Sequence, residues 1–294
     1  MNQQKIKISL IQTTCSENSG LNLSKTLQKI KEAAEKGGQI IALQELFNTT
    51  YFCKTVDDKF FDWAEPIPGP LTDQLCELAG ELEIVLVVPF FERRTAGIYH
   101  NSLVVIDADG TLLGTYRKKH IPDDPGFYEK YYFTPGDGDY RVFDTKYAKI
   151  GPLICWDQWY PEAARITALK GAEILIYPTA IGTLPDEDER TAKEFQDAWL
   201  TIQRSHAIAN GCFVAAVNRA GKEGEITFWG QSFVAGPFGQ MIAQAGSEEG
   251  ILITEIDLSK IEKQRQAWPF FRDRRIDTYK PILKRFIDKS SKFE

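Results

Sequence analysis

The chain has 294 residues, 43% of them hydrophobic and 26% charged, an ordinary globular balance with enough apolar content for a large core. With 35 Lys and Arg against 41 Asp and Glu the formal net charge is −6, which argues against non-specific nucleic-acid binding and mildly favours a cationic small molecule. The five cysteines, Cys15, Cys53, Cys76, Cys155 and Cys212, are odd in number and irregularly spaced, with no CxxC pair or Cys/His cluster, so neither a disulfide framework nor a metal site is expected.

Residues 1–12 lack signal-peptide organisation, and no apolar run approaches a bilayer span, so a soluble cytoplasmic protein without a membrane partner is expected. Residues 6–12 alternate apolar and polar side chains and predict a half-buried strand. Residues 21–35 predict an amphipathic helix with Leu23, Leu27, Ile30 and Ala34 near one face, stopped by Gly37-Gly38. A short apolar strand over 40–43 leads to Gln44-Glu45. Helix 71–82 and strand 84–90 repeat the pattern, and strands 102–106 and 112–116 flank the hairpin signal Asp109-Gly110. Strand 150–155 ends on Cys155. Helix 161–170 has Pro161 in its first turn and Gly171 after its end. Strand 174–177, a polar loop over 184–190, helix 192–210 and strands 213–217, 232–235 and 251–256 follow. Alternation interrupted by hairpins predicts sheets with helices on their outer faces and some antiparallel pairing. Nothing divides residues 1–294, which read as one domain. The basic, aromatic tail 268–294 is too short to be a second one and is expected at a subunit interface.

Cys155 sits where a strand gives way to a helix. Such a junction exposes a nucleophile, and positive potential at a helix N-terminus favours thiolate. A cysteine taken at random is more often a buried structural residue, and the other four are read that way. Glu45, at a strand end, could take a proton from a thiol and then from water, or could simply be solvated. Lys118, just after a strand, could stabilise an oxyanion or could be an ordinary basic strand end. His120 suggests a Cys–His dyad, but each of the three histidines is more often a packing or hydrogen-bonding residue. Spacing alone does not choose among these.

Family resemblance raises them together. Glu45 in Ala42-Leu43-Gln44-Glu45, Lys118 in Tyr116-Arg117-Lys118-Lys119-His120 and Cys155 in Gly151-Pro152-Leu153-Ile154-Cys155-Trp156-Asp157 resemble, in order, the three signature segments of the nitrilase superfamily. Tyr99-His100-Asn101-Ser102, Phe133-Thr134-Pro135-Gly136-Asp137, Val217-Asn218-Arg219 and Pro237-Phe238-Gly239 look like further landmarks, so the likeness covers nearly the whole chain. It implies an α+β fold, the four-layer αββα sandwich of two mixed β-sheets flanked by helices, and a homo-oligomer built from dimers. It implies a catalytic Glu45–Lys118–Cys155 triad that needs no cofactor or metal. Glu129 matches a second glutamate of the family and would position Lys118 or the substrate.

Residues 155–165, 120–123, 129–137 and 177–182 are similar to the branch that hydrolyses a carbamoylated diamine to the diamine, ammonia and carbon dioxide in polyamine synthesis. The small cationic substrate would then need an oxyanion donor, supplied by Lys118 and the Trp156 N–H. Its distal ammonium would need carboxylates or aromatic faces, for which Asp186, Glu187, Trp159 and Tyr51 are the candidates. The 186–190 loop has no close match, and Ala209-Asn210-Gly211 lacks a glutamate common before that asparagine. Another N-carbamoyl compound, an ω-amide or a nitrile are alternatives within the same chemistry. A silent binding member of the fold is the alternative outside it, against which the intact Glu45, Lys118 and Cys155 speak.

Overall fold

The computed structural model describes residues 4–287. Along the chain run β1 (Lys5–Gln12), β2 (Ile40–Leu43), β3 (Val85–Thr95), β4 (Ile98–Ile106), β5 (Leu112–Arg117), β6 (Phe143–Asp144), β7 (Lys149–Pro152) and β8 (Ile174–Thr179). They are followed by β9 (Gly182–Thr183), β10 (Phe213–Asn218), β11 (Ala220–Glu223), β12 (Ile226–Trp229), β13 (Phe233–Ala235), β14 (Met241–Gln244) and β15 (Gly250–Asp257). The helices are α1 (Ser19–Glu35), α2 (Pro70–Leu82), α3 (Glu129–Tyr132), α4 (Pro161–Leu169), α5 (Glu189–Asn210) and α6 (Ser259–Ala267).

One six-stranded sheet has the order β15-β1-β2-β3-β4-β5 and the other β14-β13-β10-β8-β7-β6. Both are mixed: β1, β2 and β3 pair in parallel, as do β7, β8 and β10, and the outer pairings are antiparallel. Alternation along each strand decides which layer a side chain enters. Ile6, Ile8 and Leu10 of β1 and Val85 and Val87 of β3 share a core with Ile150, Ile174, Ile176, Ala215 and Val217 of the second sheet. Ile11, Leu86 and Val88 point the other way, onto Ile30 and Ala33 of α1 and Leu75, Leu78 and Ala79 of α2. Ala163 and Ala164 of α4 and Trp199 and Ala207 of α5 cover the far face of the second sheet. The layers therefore stack helix, sheet, sheet, helix, the αββα sandwich that the family resemblance implies.

Three differences bear on the site. The strand before Cys155 stops at Pro152 rather than running to Cys155, which adopts φ +40°, a conformation no strand accommodates. Gly151 in that strand lets α4 pack against it: a Cβ there would lie 2.4 Å from the Thr167 side chain and 2.8 Å from Ala172. The long helix begins at Glu189 rather than 192, since Asp188 caps it by accepting the Thr191 N–H at 2.7 Å, so only the first part of the polar 184–190 stretch is loop. A small third sheet, β11-β12-β9, which the sequence did not suggest, is built from segments that follow β8 and β10 in the chain. In the tail, Leu283 and Phe286 are 87% and 75% exposed, and the part of the predicted interface segment beyond 287 lies outside the described residues. No helix among the described residues is long and apolar enough to cross a membrane.

Candidate active site

The parallel strands of both sheets end at the same edge of the sandwich, and the chemistry-bearing residues follow those ends, where open α/β sheets place their sites. Glu45 comes two residues after β2, Lys118 directly after β5, Cys155 three after β7, Ala180 directly after β8 and Arg219 directly after β10.

Lys118 joins the acidic groups. Its ammonium donates to Glu45 Oε1 at 2.8 Å and to Glu129 Oε2 at 2.7 Å, and all three side chains are at most 1% exposed. Tyr51 donates its hydroxyl to Glu129 Oε1 at 2.8 Å, and Asn101 Nδ2 donates to Glu45 Oε1 at 2.7 Å. Burial works against the ammonium, but Glu129, Glu45 and Cys155 outweigh it and hold the Lys118 pKa well above the usual lysine value. Burial pushes Glu129 up to about 7, with the Glu45 charge adding to it and Lys118 and Tyr51 opposing.

That shift predicts a pH dependence. Between the ordinary glutamate value of 4.5 and about 7 the folded protein holds a proton on Glu129 that the unfolded chain has released. The group therefore stabilises the fold less as pH rises through that window. Wild type is expected to lose stability relative to Glu129→Gln between pH 5 and 7.5, measured as the difference in Tm. A constant difference would show that Glu129 titrates normally.

Cys155 opens a 3-10 turn, Cys155–Trp159, and its positive φ is held from both sides. The Asp157 N–H donates to the Ile154 carbonyl at 2.9 Å, while Asp157 Oδ2 accepts the Ile154 N–H at 3.0 Å. The same carboxylate accepts the Tyr116 hydroxyl at 2.7 Å, the His120 N–H at 3.1 Å and His120 Nδ1 at 2.7 Å. His120 is thus bound to Asp157 and stacked on Tyr160 at 3.6 Å, a structural role. One buried carboxylate ties the nucleophile turn to the segment carrying Lys118.

Burial pushes the Cys155 thiol well above its usual value, and the charges of Glu45 and Glu129 push the same way, against Lys118 and a hydrogen bond from the Ala180 backbone. The expectation of a thiolate held by a helix N-terminus is therefore reversed. Only a short 3-10 turn follows Cys155, and the surroundings favour the neutral thiol, so its proton must leave as it attacks.

Behind the site, fully buried Arg219 donates to the carbonyls of Glu45 at 3.0 Å, Leu46 at 2.7 Å and Thr49 at 2.9 Å. It also pairs with Glu223 at 2.6 Å, whose other oxygen accepts the Tyr51 N–H at 2.6 Å. This holds the loop after Glu45, where Leu46 has φ +51°, and sets Tyr51 against Glu129. Asn101 and Arg219 fall within the sequence landmarks, but the sequence assigns neither a role, because a single buried polar residue leaves no periodic mark.

The proposed ammonium contacts lie less centrally. The ring of Tyr51 is fully buried between Phe127 and Phe228, so Tyr51 enters the site through its hydroxyl. Trp159 packs edge-on to Trp156 at 6.4 Å, with its indole N–H buried and unpartnered. Glu187 is half-buried and accepts the Leu184 N–H at 3.0 Å, and Asp186 is exposed. Among the described residues, no group of three or more His, Cys, Asp or Glu side chains could hold a metal ion.

Residues 7–266 match the carbon–nitrogen hydrolase family. An N-carbamoylputrescine amidase of Solanum lycopersicum is 47% identical over 288 residues, 95% of each chain. A citrullinase of Francisella tularensis subsp. tularensis is 44% identical over 290 residues, 96% of this chain and 99% of its own. The crystal structure of a carbon–nitrogen hydrolase from Helicobacter pylori G27 superposes with a TM-score of 0.94 at 47% identity, covering 96% of this chain and 100% of that one. This chain belongs to the carbon–nitrogen hydrolase family, within the nitrilase superfamily.

Proposed function

We propose that the protein hydrolyses N-carbamoylputrescine to putrescine, carbon dioxide and ammonia through a thioester on Cys155, as a step of putrescine synthesis. The observation that carries the chemistry is the buried Lys118 ammonium joined to both Glu45 and Glu129, whose carboxylates, together with burial, hold the Cys155 thiol pKa high. The likeness to amidases of this name supports the substrate.

A ureido carbonyl is a poor electrophile because both nitrogens donate into it. Glu45 takes the thiol proton as Cys155 Sγ bonds to that carbon. Lys118 and the Trp156 N–H stabilise the oxyanion, and Glu45 returns the proton to the departing ammonia. The thioester keeps the diamine nitrogen. Glu45 then deprotonates water, which attacks the same carbon and expels the thiol, and the released carbamate breaks down to carbon dioxide and putrescine. Glu129 and Tyr51 hold Lys118 in place. The exposed apolar side chains of the tail support its docking on a second copy, within an oligomer built from dimers.

The citrullinase likeness favours one further reading, since citrulline shares the ureido-alkyl chain and an ammonium but adds a carboxylate. Ammonia release from N-carbamoylputrescine, citrulline and N-carbamoyl-β-alanine separates the two. The first is expected to exceed the others in kcat/KM by at least about 100-fold, an unpaired anion being the penalty. Glu187→Gln keeps the acceptor for Leu184 and removes only charge, so it is expected to raise KM for N-carbamoylputrescine about tenfold. Citrulline turned over as well as N-carbamoylputrescine would overturn the substrate, and unchanged KM in Glu187→Gln and Asp186→Asn would remove the loop from the site.

A further inference from the structure

Glu45 has two carboxylate oxygens in different situations. Oε1 receives both bonds, from Lys118 Nζ at 2.8 Å and from Asn101 Nδ2 at 2.7 Å. Oε2 is buried and receives none. A buried carboxylate oxygen without a donor is costly, and such an atom persists where a proton or a reacting group is to arrive. Lys118 alone does not enforce this asymmetry, because an ammonium is a compact charge that either oxygen can meet by rotation about the last bond of the glutamate. A second donor fixed in direction does.

Asn101 is built to be that donor. It is fully buried, and its own backbone is locked: β4 pairs with β3 at Phe91, and the Asn101 carbonyl accepts the Lys118 N–H at 2.8 Å. Reversing its amide would set Oδ1 against a carboxylate oxygen, two acceptors without a proton between them, so the donor must face Glu45. The amide's own Oδ1 is left buried and unpartnered, so no hydrogen bond to that oxygen accounts for an amide at this position. The residue whose backbone anchors Lys118 thus also orients Glu45.

We infer that Asn101 is a positioning residue that occupies Glu45 Oε1 and so assigns Oε2 as the oxygen that takes the proton from Cys155. This deepens the functional reading above and rests on its assignment of Cys155 as nucleophile and Glu45 as base.

The test uses full-length Asn101→Ala and the near-isosteric Asn101→Leu, which keeps the branched shape and loses the donor without adding a charge. Two readouts are taken. One is kcat and KM for ammonia release from N-carbamoylputrescine. The other is the rate of Cys155 alkylation by iodoacetamide across pH, followed on the Cys155 peptide by mass spectrometry, which needs no substrate. In both variants kcat is expected to fall about 100-fold with KM within about threefold, as loss of general-base efficiency requires. Alkylation at neutral pH is expected to slow roughly tenfold, with its profile displaced to higher pH. If Asn101→Ala does not fold, Asn101→Leu decides alone. Wild-type alkylation profiles in the variants, whether or not Tm and kcat fall, would make Asn101 merely structural and overturn the inference. A wrong substrate assignment would appear differently, as wild type releasing no ammonia while the alkylation contrast persists.

Discussion

Replacing Cys155 with alanine is expected to lower ammonia release by at least about 10⁴-fold, the scale on which loss of a covalent nucleophile registers. The fold should survive. The change removes one sulfur atom from a turn whose geometry is set by Asp157 and Ile154, so Tm is expected to move by less than about 4 °C. Alanine also accepts positive φ no worse than cysteine does, so the +40° at this position adds no new strain. Serine tests the same point from another side. Its hydroxyl is far harder to deprotonate than a thiol, and the setting already resists charge on this side chain through burial and the neighbouring carboxylates. Cys155→Ser is therefore expected to be nearly as inactive as the alanine variant. Appreciable turnover in Cys155→Ala would remove the nucleophile assignment.

Lys118→Met is expected to fail in two separable ways. The first is catalytic: loss of one oxyanion donor costs about 10²–10³-fold in kcat, and a buried cation should cost at least that. The second is structural. Lys118 bridges Glu45 and Glu129, so its removal leaves two carboxylates buried together without a counter-ion, at a cost of about 3–5 kcal/mol unless one takes up a proton. The double variant Lys118→Met with Glu129→Gln separates these effects. Neutralising one carboxylate should restore much of the stability to urea denaturation while activity stays lost. Lys118→Met retaining more than a tenth of wild-type kcat would exclude Lys118 as an oxyanion partner. Unchanged stability in that variant would mean that one carboxylate holds a proton once the ammonium is gone.

The layers of the fold were legible wherever local pattern and tertiary burial agree. Alternation over 6–12, the amphipathic helix near 21–35 and the apolar run 40–43 became β1, α1 and β2 because each side chain's face follows from its own period. The β9, β11 and β12 sheet was not legible, since β9 is two residues long and β11 reads Ala220-Gly221-Lys222-Glu223, a stretch that becomes a strand only through its partners. The helix start at Glu189 was legible in principle, as Asp188 and Thr191 stand at cap spacing, but four acidic residues in a row read more readily as solvated loop.

The site divides along the same line. Glu45, Lys118 and Cys155 stood out through three ordered motifs, and the structure draws Glu45 and Lys118 into direct contact. Asn101, Arg219 and the Tyr51 hydroxyl act through burial and long-range pairing, across 56, 174 and 78 residues of sequence. No local window carries such partnerships. The protonated resting state of Cys155 was equally out of reach, because it depends on burial and on two carboxylates distant in sequence.

The chemistry depends on a thioester at Cys155, and that thioester can be trapped. N-carbamoylputrescine labelled separately at the ureido carbon and in the diamine chain is mixed with enzyme, quenched in acid within one turnover and digested. Both labels are expected on the peptide containing Cys155, with one equivalent of ammonia released before any carbon dioxide, and neither label is expected in Cys155→Ala. Label on another residue, or no covalent adduct while turnover proceeds at its normal rate, would contradict a cysteine thioester and, with it, Glu45 as the base and Lys118 as the oxyanion partner.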